Sequence, residues 1–138
     1  MLDTGPLGKI AHHKRTAEND AKYRALMASG AVVYLPEIAD YEVRRSFLLE
    51  GLAASLRRLD ALKNTLIYLP LTTDVMQQAA RLWAEVRKQG KPTADPKEID
   101  ADVILAAQAL AVGGIVVTDN PGHLSRFVPI KTWQEIQL

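Results

Sequence analysis

Short apolar runs alternate along the chain with longer segments whose apolar residues recur at helical spacing. The first run ends at Asp3, and the other three cover Ala31–Leu35, Leu66–Leu71 and Ile115–Thr118. Runs of this length, bounded by turn residues, predict buried strands. Strands that alternate with helices predict an α/β fold with a central, mostly parallel sheet and helices on both faces.

The segments between these runs predict five helices. They cover about Thr16 to Ser29, Pro36 to Gly51, Leu52 to Leu62, Thr73 to Gln89 and Ala101 to Val112. The N-cap residues predicted for the last two are Thr73 with Asp74, and Asp100. Thr4–Gly8 is predicted to be a turn, and Lys91–Glu98 a loop.

The first run has only two residues before Asp3. A buried strand is normally longer, so this run predicts that the natural chain starts a few residues upstream of Met1.

Size and composition restrict the function further. The 138 residues (15.2 kDa) predict a single domain over 1–138, and a net charge of +1 argues against a general polycation. The chain has no cysteine, which excludes disulfides, thiolate nucleophiles and zinc knuckles. No apolar run is long enough for a bilayer and no signal peptide is recognisable, so a cytoplasmic location is expected.

Candidate chemical groups follow the predicted strands. Asp3 ends the first strand and Asp119 with Asn120 follows the fourth, while Glu42 and Asp102 lie on neighbouring helices. In open parallel sheets, the site lies beyond the carboxyl ends of the strands. Carboxylates that converge there need a hard cation, and oxygen ligands suit Mg²⁺ or Mn²⁺.

Helical geometry separates neighbouring acidic residues. Because successive residues rotate by about 100°, Asp100 and Asp102 point in different directions, and so do Asp40 and Glu42. Asp100 is expected to cap its helix and Asp102 to lie in the first turn. Glu42 is expected to be the residue of its pair that faces inward.

Four segments resemble the landmarks of PIN domains, most closely the VapC-like toxins of bacterial toxin–antitoxin pairs. They are, in chain order, LDTGPLG, ADYEVRRSF, DADVILAAQAL and GIVVTDNPGHLSRF. The resemblance extends over essentially the whole chain. It implies a PIN-like three-layer α/β/α sandwich and a Mg²⁺-dependent ribonuclease that a small protein antitoxin inhibits. An RNA substrate and a homodimer are expected with it.

Position by position, the resemblance implies a catalytic set of Asp3, Glu42, Asp102 and Asn120. Asp3 and Asp102 would hold Mg²⁺ (or Mn²⁺), and Glu42 would orient the attacking water or complete a second metal site. Relatives carry Asp or Asn at the fourth position, so Asn120 would hold a water or a substrate phosphate.

Supporting roles are predicted for residues beside these four. The hydroxyl groups of Thr4 and Thr118 are expected to position ligands. Asp119 could compensate for the amide of Asn120, but adjacent strand residues point to opposite sides, and Asn120 is expected to reach the site more directly.

Basic residues near the motifs are expected to contact the RNA backbone. They are Arg44 with Arg45, the segment His12–Arg15, and Lys88 with Lys91. Solvated surface is the ordinary explanation for such charges.

Each acidic residue also has an ordinary structural explanation. Asp3 alone fits a turn residue, Asp102 a partner of the helix dipole, and Glu42 a surface pair with Arg45 or Ser46. The rival function is a catalytically inactive PIN-like module that binds RNA or protein, which the amide of Asn120 motivates.

Two other classes of protein are excluded by missing residues. A phosphotransfer fold would need an Asp after Leu66–Leu71, or a second Asp where Gly5 stands. The segment LDTGPLG does not match the dinucleotide-binding pattern G-x-G-x-x-G.

Overall fold

The computed structural model describes residues 1–90, 96–122 and 124–136, and for residues 96–99 it describes the backbone alone. The helices are α1 Thr4–Ala11, α2 Ala17–Ala28, α3 Glu37–Glu50, α4 Ala53–Thr65, α5 Thr73–Lys88 and α6 Pro96–Val112. The strands are β1 Tyr34–Pro36, β2 Ile67–Leu69, β3 Val116–Thr118 and β4 Ile130–Thr132, and short 3-10 helices cover Leu124–Arg126 and Trp133–Glu135.

The strands form two parallel pairs, and the first three residues of the chain join them. β1 pairs with β2, and β3 pairs with β4. Between the pairs, the Leu2 amide donates to the Tyr34 carbonyl (3.1 Å), and the amides of Val117 and Asp3 complete a parallel ladder between Met1–Asp3 and β3 (2.8 and 2.9 Å). The spatial order is therefore β2, β1, residues 1–3, β3 and β4.

Adjacent residues of these strands bury their side chains on opposite faces of the sheet. Met1 and Val116 pack with α5 and α6, whereas Leu2 and Val117 pack with α1, α3 and α4. This alternation is what the period of a strand requires. It confirms the predicted α/β fold with helices on both faces.

The predicted turn over Thr4–Gly8 is wrong, because these residues form α1. Asp3 caps this helix by accepting a hydrogen bond from the Thr4 amide (2.7 Å). Pro6 lies in the first turn, where an amide needs no helical partner. Leu7 and Ile10 are fully buried, so tertiary packing stabilises a helix despite its Gly and Pro residues.

Both predicted N-caps are also wrong. The hydroxyl of Thr72, one residue earlier than predicted, accepts from the Val75 amide and caps α5 (3.1 Å). Helix α6 already begins at Pro96, a residue well suited to the first helical position, so Asp100 lies inside the helix. Of the predicted Lys91–Glu98 loop, residues 91–95 lie outside the described residues.

The other predicted helices are confirmed to within a few residues at their ends. Gly51 ends α3 in the left-handed conformation (φ 69°) that glycine adopts without strain. Strand β4 was not predicted; it pairs with β3, with Lys131 opposite Val117. Within the described part of the chain, no helix is long and apolar enough to cross a membrane.

Candidate active site

Asp3 lies where the central strand segment ends and α1 begins, and both of its carboxylate oxygens are held. One oxygen accepts from the Thr4 amide, and the other accepts from the Thr118 hydroxyl at 2.7 Å. Thr118 ends β3 and is only 1% exposed. Two adjacent strand ends therefore fix the orientation of this carboxylate.

Glu42 is brought to the same place by α3. Its Oε1 accepts from the hydroxyl of Thr4, the residue after Asp3, at 2.9 Å. Its Oε2 lies 3.6 Å from Arg45 Nη2, so the surface ion pair with Arg45, expected as the structural alternative, is also present. The side chain is 22% exposed. Through Thr4, the structure brings Asp3 and Glu42 together.

Asp119 lies against the start of α1. Its Oδ1 accepts from the Lys9 ammonium at 2.9 Å. A Cβ atom on Gly5 would lie 2.9 Å from the Asp119 Cγ, so the absence of a side chain at Gly5 makes this contact possible. Lys9 was not predicted as a site residue, although its place one helical turn after Gly5 is a sequence signal.

Asn120, the predicted fourth residue, is exposed. Its backbone amide donates to the Thr118 hydroxyl (3.1 Å), and its side chain faces the Cα of Gly122. Of the two neighbours, Asp119 is thus the residue whose side chain contacts α1.

Asp102 lies in the second turn of α6 and is half-buried, whereas the first turn was expected. Asp100 is exposed and borders a groove between α5 and α6 together with Met76 and Trp83. Helix α6 contacts α3, the helix that carries Glu42.

Asp40, not Glu42, is the buried carboxylate of α3. It accepts two hydrogen bonds from Arg44 (2.9 and 3.1 Å), and Arg44 also reaches Asp60 (2.8 Å). The hydrogen bonds that Arg44 donates to Asp40 are the largest cause that raises the pKa of Arg44 above its usual range. Glu42 faces the candidate site through Thr4, as predicted; Asp40, which was not expected to point inward, is the more deeply buried of the two, and Arg44 compensates it.

Gln108 was missed by the sequence analysis. It is fully buried on α6, donates to the Leu69 carbonyl (2.8 Å) and accepts from the Ile38 amide (3.4 Å). These bonds connect α6 to the last residue of β2 and to the start of α3. One amide within an otherwise apolar helical run is the signal that could have identified it.

The donor set suits a hard cation, since Asp3, Glu42 and Asp102 offer only carboxylate oxygens. Within 1–90, 100–122 and 124–136, no three acidic or histidine side chains are grouped closely enough to hold a metal ion by themselves. Mg²⁺ commonly uses one or two carboxylates and completes its shell with water and substrate phosphate. The carboxylates of Asp3 and Glu42 would suit a sparsely ligated Mg²⁺ site of that kind.

Comparison with known proteins gives one family and a set of similar structures. The family model described as PIN domain matches residues 1–127. No curated protein matches the chain significantly.

Three similar structures span nearly the full chain. FitAcB from Neisseria gonorrhoeae has a TM-score of 0.74 at 22% identity and covers 97% of both chains. VapBC-1 from nontypeable Haemophilus influenzae has a TM-score of 0.71 at 19% identity and covers 98% of both chains. VapBC2 from Rickettsia felis, bound to a promoter DNA fragment, has a TM-score of 0.69 at 19% identity and covers 96% of this chain and 97% of that one. At these identities, the likeness concerns the fold.

Proposed function

The chain belongs to the PIN domain family, and from that premise we propose that it is a metal-dependent endoribonuclease, the toxin of a toxin–antitoxin pair. The observation that carries the proposal is the paired arrangement of Asp3 and Glu42. Two carboxylates from different elements meet at the strand ends, each held by a threonine hydroxyl (2.7 and 2.9 Å). This is where an open parallel sheet places its chemistry.

In this mechanism, Asp3 and Asp102 would hold Mg²⁺ or Mn²⁺. The bound metal would polarise the scissile phosphate and lower the pKa of a water. Thr118 keeps the Asp3 carboxylate oriented, and Glu42, fixed by Thr4, accepts a hydrogen bond from the attacking water. Water adds its oxygen to phosphorus, the P–O bond to the neighbouring ribose breaks, and a proton from the water ends on the departing ribose oxygen.

In this proposal, Asn120 and the Asp119–Lys9 pair share the role of the fourth site position. The exposed amide of Asn120 donates to a phosphate oxygen, as the resemblance implies. Asp119 and Lys9 lie on the α1 side, where the Lys9 ammonium attracts the phosphate. Arg45, 58% exposed beside Glu42, is placed to contact the RNA backbone.

The decisive test compares wild type, Asp102→Asn and the matched control Asp100→Asn on a mixed RNA substrate with Mg²⁺, Mn²⁺ or EDTA. Cleavage should require metal, disappear in Asp102→Asn and persist in Asp100→Asn, because Asp100 faces the α5–α6 groove. Absence of metal-dependent cleavage, together with no metal-induced rise in Tm, would contradict the proposed nuclease activity.

That second outcome would favour a catalytically inactive PIN-like module that binds RNA or protein. The amide of Asn120 is the observation in its favour, since an amide is a weaker cation ligand than a carboxylate. Such a module should bind its partner equally well with metal or EDTA.

The proposal includes a protein antitoxin. It is supported by the similar structures named VapBC and FitAcB and by the resemblance to VapC-like toxins. Co-expression with the product of the adjacent upstream reading frame should yield a stable complex in which cleavage is suppressed. The expected homodimer and cytoplasmic location remain predictions, which light scattering and cell fractionation would check.

A further inference from the structure

A groove of about 420 Å³ leads away from the candidate active site between α1 and α3. Gly5 and Lys9, which contact Asp119, lie at its inner end. Lys14 and Arg15, in the loop after α1, lie at its outer end. We call this surface the α1–α3 groove.

The two helices run side by side along the groove. Thr4 contacts Glu42 at the inner end (2.9 Å), and the His12 ring lies 5.9 Å from that of Phe47 farther out. Eight residues separate Thr4 from His12, which corresponds to about 12 Å of helix. Between them, Gly8 leaves the groove open, because a Cβ atom there would meet only Val43, at 3.9 Å.

The groove carries excess positive charge although the whole protein is nearly neutral. Lys9, Lys14 and Arg15 line it, opposed by Glu50 as the acidic lining residue. Lys9 is paired with Asp119. The Lys14 ammonium forms no ion pair with any of the described residues and is exposed.

The outer end is more basic than the lining residues alone indicate. Asp20 is shared by three guanidinium groups, those of Arg15 (2.9 Å), Arg24 (3.0 Å) and Arg58 (3.6 Å). Burial and the neighbouring charge of Arg15 lower the pKa of Arg58. Three cations around one carboxylate leave an electropositive corner that attracts anions.

The histidine in the groove supplies a further donor. His12 Nδ1 accepts from the Lys14 amide (3.0 Å), which leaves the proton of the neutral ring on Nε2. The ring is stacked on His13 at 4.7 Å. A backbone phosphate in the groove would thus meet ammonium and imidazole donors.

We propose that the α1–α3 groove binds the sugar–phosphate backbone of single-stranded RNA and guides it from Lys14 to the Asp3–Glu42 site. The inference rests on the proposed nuclease function and names the path of its substrate. An open groove with cationic walls and few stacking aromatic rings favours recognition of the backbone over recognition of the bases.

The test measures binding of a fluorescent single-stranded RNA of mixed sequence by anisotropy, in EDTA and over a range of salt concentrations. Lys14→Ala should weaken binding and reduce the slope of log K against log salt by about 0.7, the value for one phosphate contact on a single strand. Lys131→Ala is the matched control, an exposed lysine on strand β4, and should retain the wild-type slope.

A second pair of variants tests the shape of the groove. Gly8→Leu places a side chain between the helices and should weaken RNA binding while Tm stays near that of wild type. Gly8→Ala adds only a Cβ at ordinary contact distance and should bind as wild type does.

Equal effects of Lys14→Ala and Lys131→Ala, or undiminished binding by a folded Gly8→Leu, would overturn the groove as an RNA path. Absence of RNA binding by the wild type would also overturn it and would reassign the groove to an acidic partner protein. Because binding is measured in EDTA, RNA that binds through the groove but is never cleaved would contradict only the nuclease function. Metal-dependent cleavage with binding unaffected by these variants would contradict only the groove.

Discussion

The core cluster under α5 and α6 is apolar, whereas charged groups gather at the carboxyl edge of the sheet, where the strands end. The α5–α6 core contains Val103, Leu105 and Ala106 of α6, all at most 3% exposed. The carboxyl edge holds Asp3 and Glu42 with their threonine partners, next to the apolar layer under α1 and α3. We call it the charged edge.

This difference shows how one small sheet separates stability from chemistry. Close packing in the α5–α6 core depends on volume and shape. At the charged edge, hydrogen bonds hold carboxylates in fixed positions near solvent, where a substrate can reach them. Changes of volume should therefore affect the α5–α6 core most, and changes of hydrogen bonding the charged edge.

The largest effect is expected from removing volume in the α5–α6 core. Leu105→Ala leaves a cavity under α6 and should lower the free energy of unfolding by about 2–5 kcal/mol, as measured by urea denaturation. Leu49→Ala, on the exposed side of α3 (89% exposed), is the control and should change it by less than about 0.5 kcal/mol. A similar loss in both variants would contradict the comparison.

Gln108→Leu tests the polar link from α6 to the end of β2 and the start of α3. It removes both hydrogen bonds of the buried amide and leaves the Ile38 amide and the Leu69 carbonyl unpaired. The expected loss of unfolding free energy is about 1–3 kcal/mol. Gln77→Leu, exposed on α5, should be nearly neutral. An equally stable Gln108→Leu would show that this link is dispensable.

Thr118→Val tests whether hydrogen bonding controls the charged edge. The change keeps the shape of a buried side chain but removes the 2.7 Å bond to Asp3. RNA cleavage should fall by about 10–100-fold, the usual cost of losing a residue that orients a metal ligand, and more Mg²⁺ should be needed for half-maximal rate. Thr118→Ser keeps the hydroxyl and should retain most activity. Full activity in Thr118→Val would argue against Asp3 as a metal ligand.

The smallest effect concerns the alkaline pH dependence of stability that comes from Tyr68, beside the layer under α1, α3 and α4. Burial, and next the charge of Glu37, raises the pKa of Tyr68 to about 12. The unfolded chain should ionise near pH 10, so the contribution of this group is complete below about pH 10 and is lost as pH rises toward 12. Tyr68→Phe should show a shallower alkaline decrease of Tm. Parallel curves of Tm against pH for wild type and Tyr68→Phe would contradict a contribution of Tyr68 to the alkaline loss of stability.

Local patterns were sufficient where a helix has a continuous apolar stripe and an evident end. Helix α3 was predicted to end at Gly51 and does so, with the glycine in the conformation that such an end requires. Helix α1 was missed because its Thr-Gly-Pro start has turn propensity, and its stability comes from burial of Leu7 and Ile10. A single sequence does not contain that tertiary contribution.

The candidate site divides in the same way. Residues after apolar runs indicated Asp3 and Asp119, because strand ends meet at one edge of a parallel sheet. Lys9 and Gln108 are far away in sequence from the groups they contact, so a local pattern could mark these two residues but could not reveal their partners. Asp40 was misjudged because helical spacing gives the direction of a side chain but not whether a cation such as Arg44 compensates it.

Periodicity and strand boundaries are local properties, so the chain's pattern predicted the alternating order of strands and helices and the set of oxygen-bearing residues at the strand ends. Which of these groups meet depends instead on long-range packing. The bond between Thr118 and Asp3 joins residues 115 positions apart, and the bond between Thr4 and Glu42 joins residues 38 apart. Such contacts arise from packing of the helices on the sheet, which depends on all the buried side chains together.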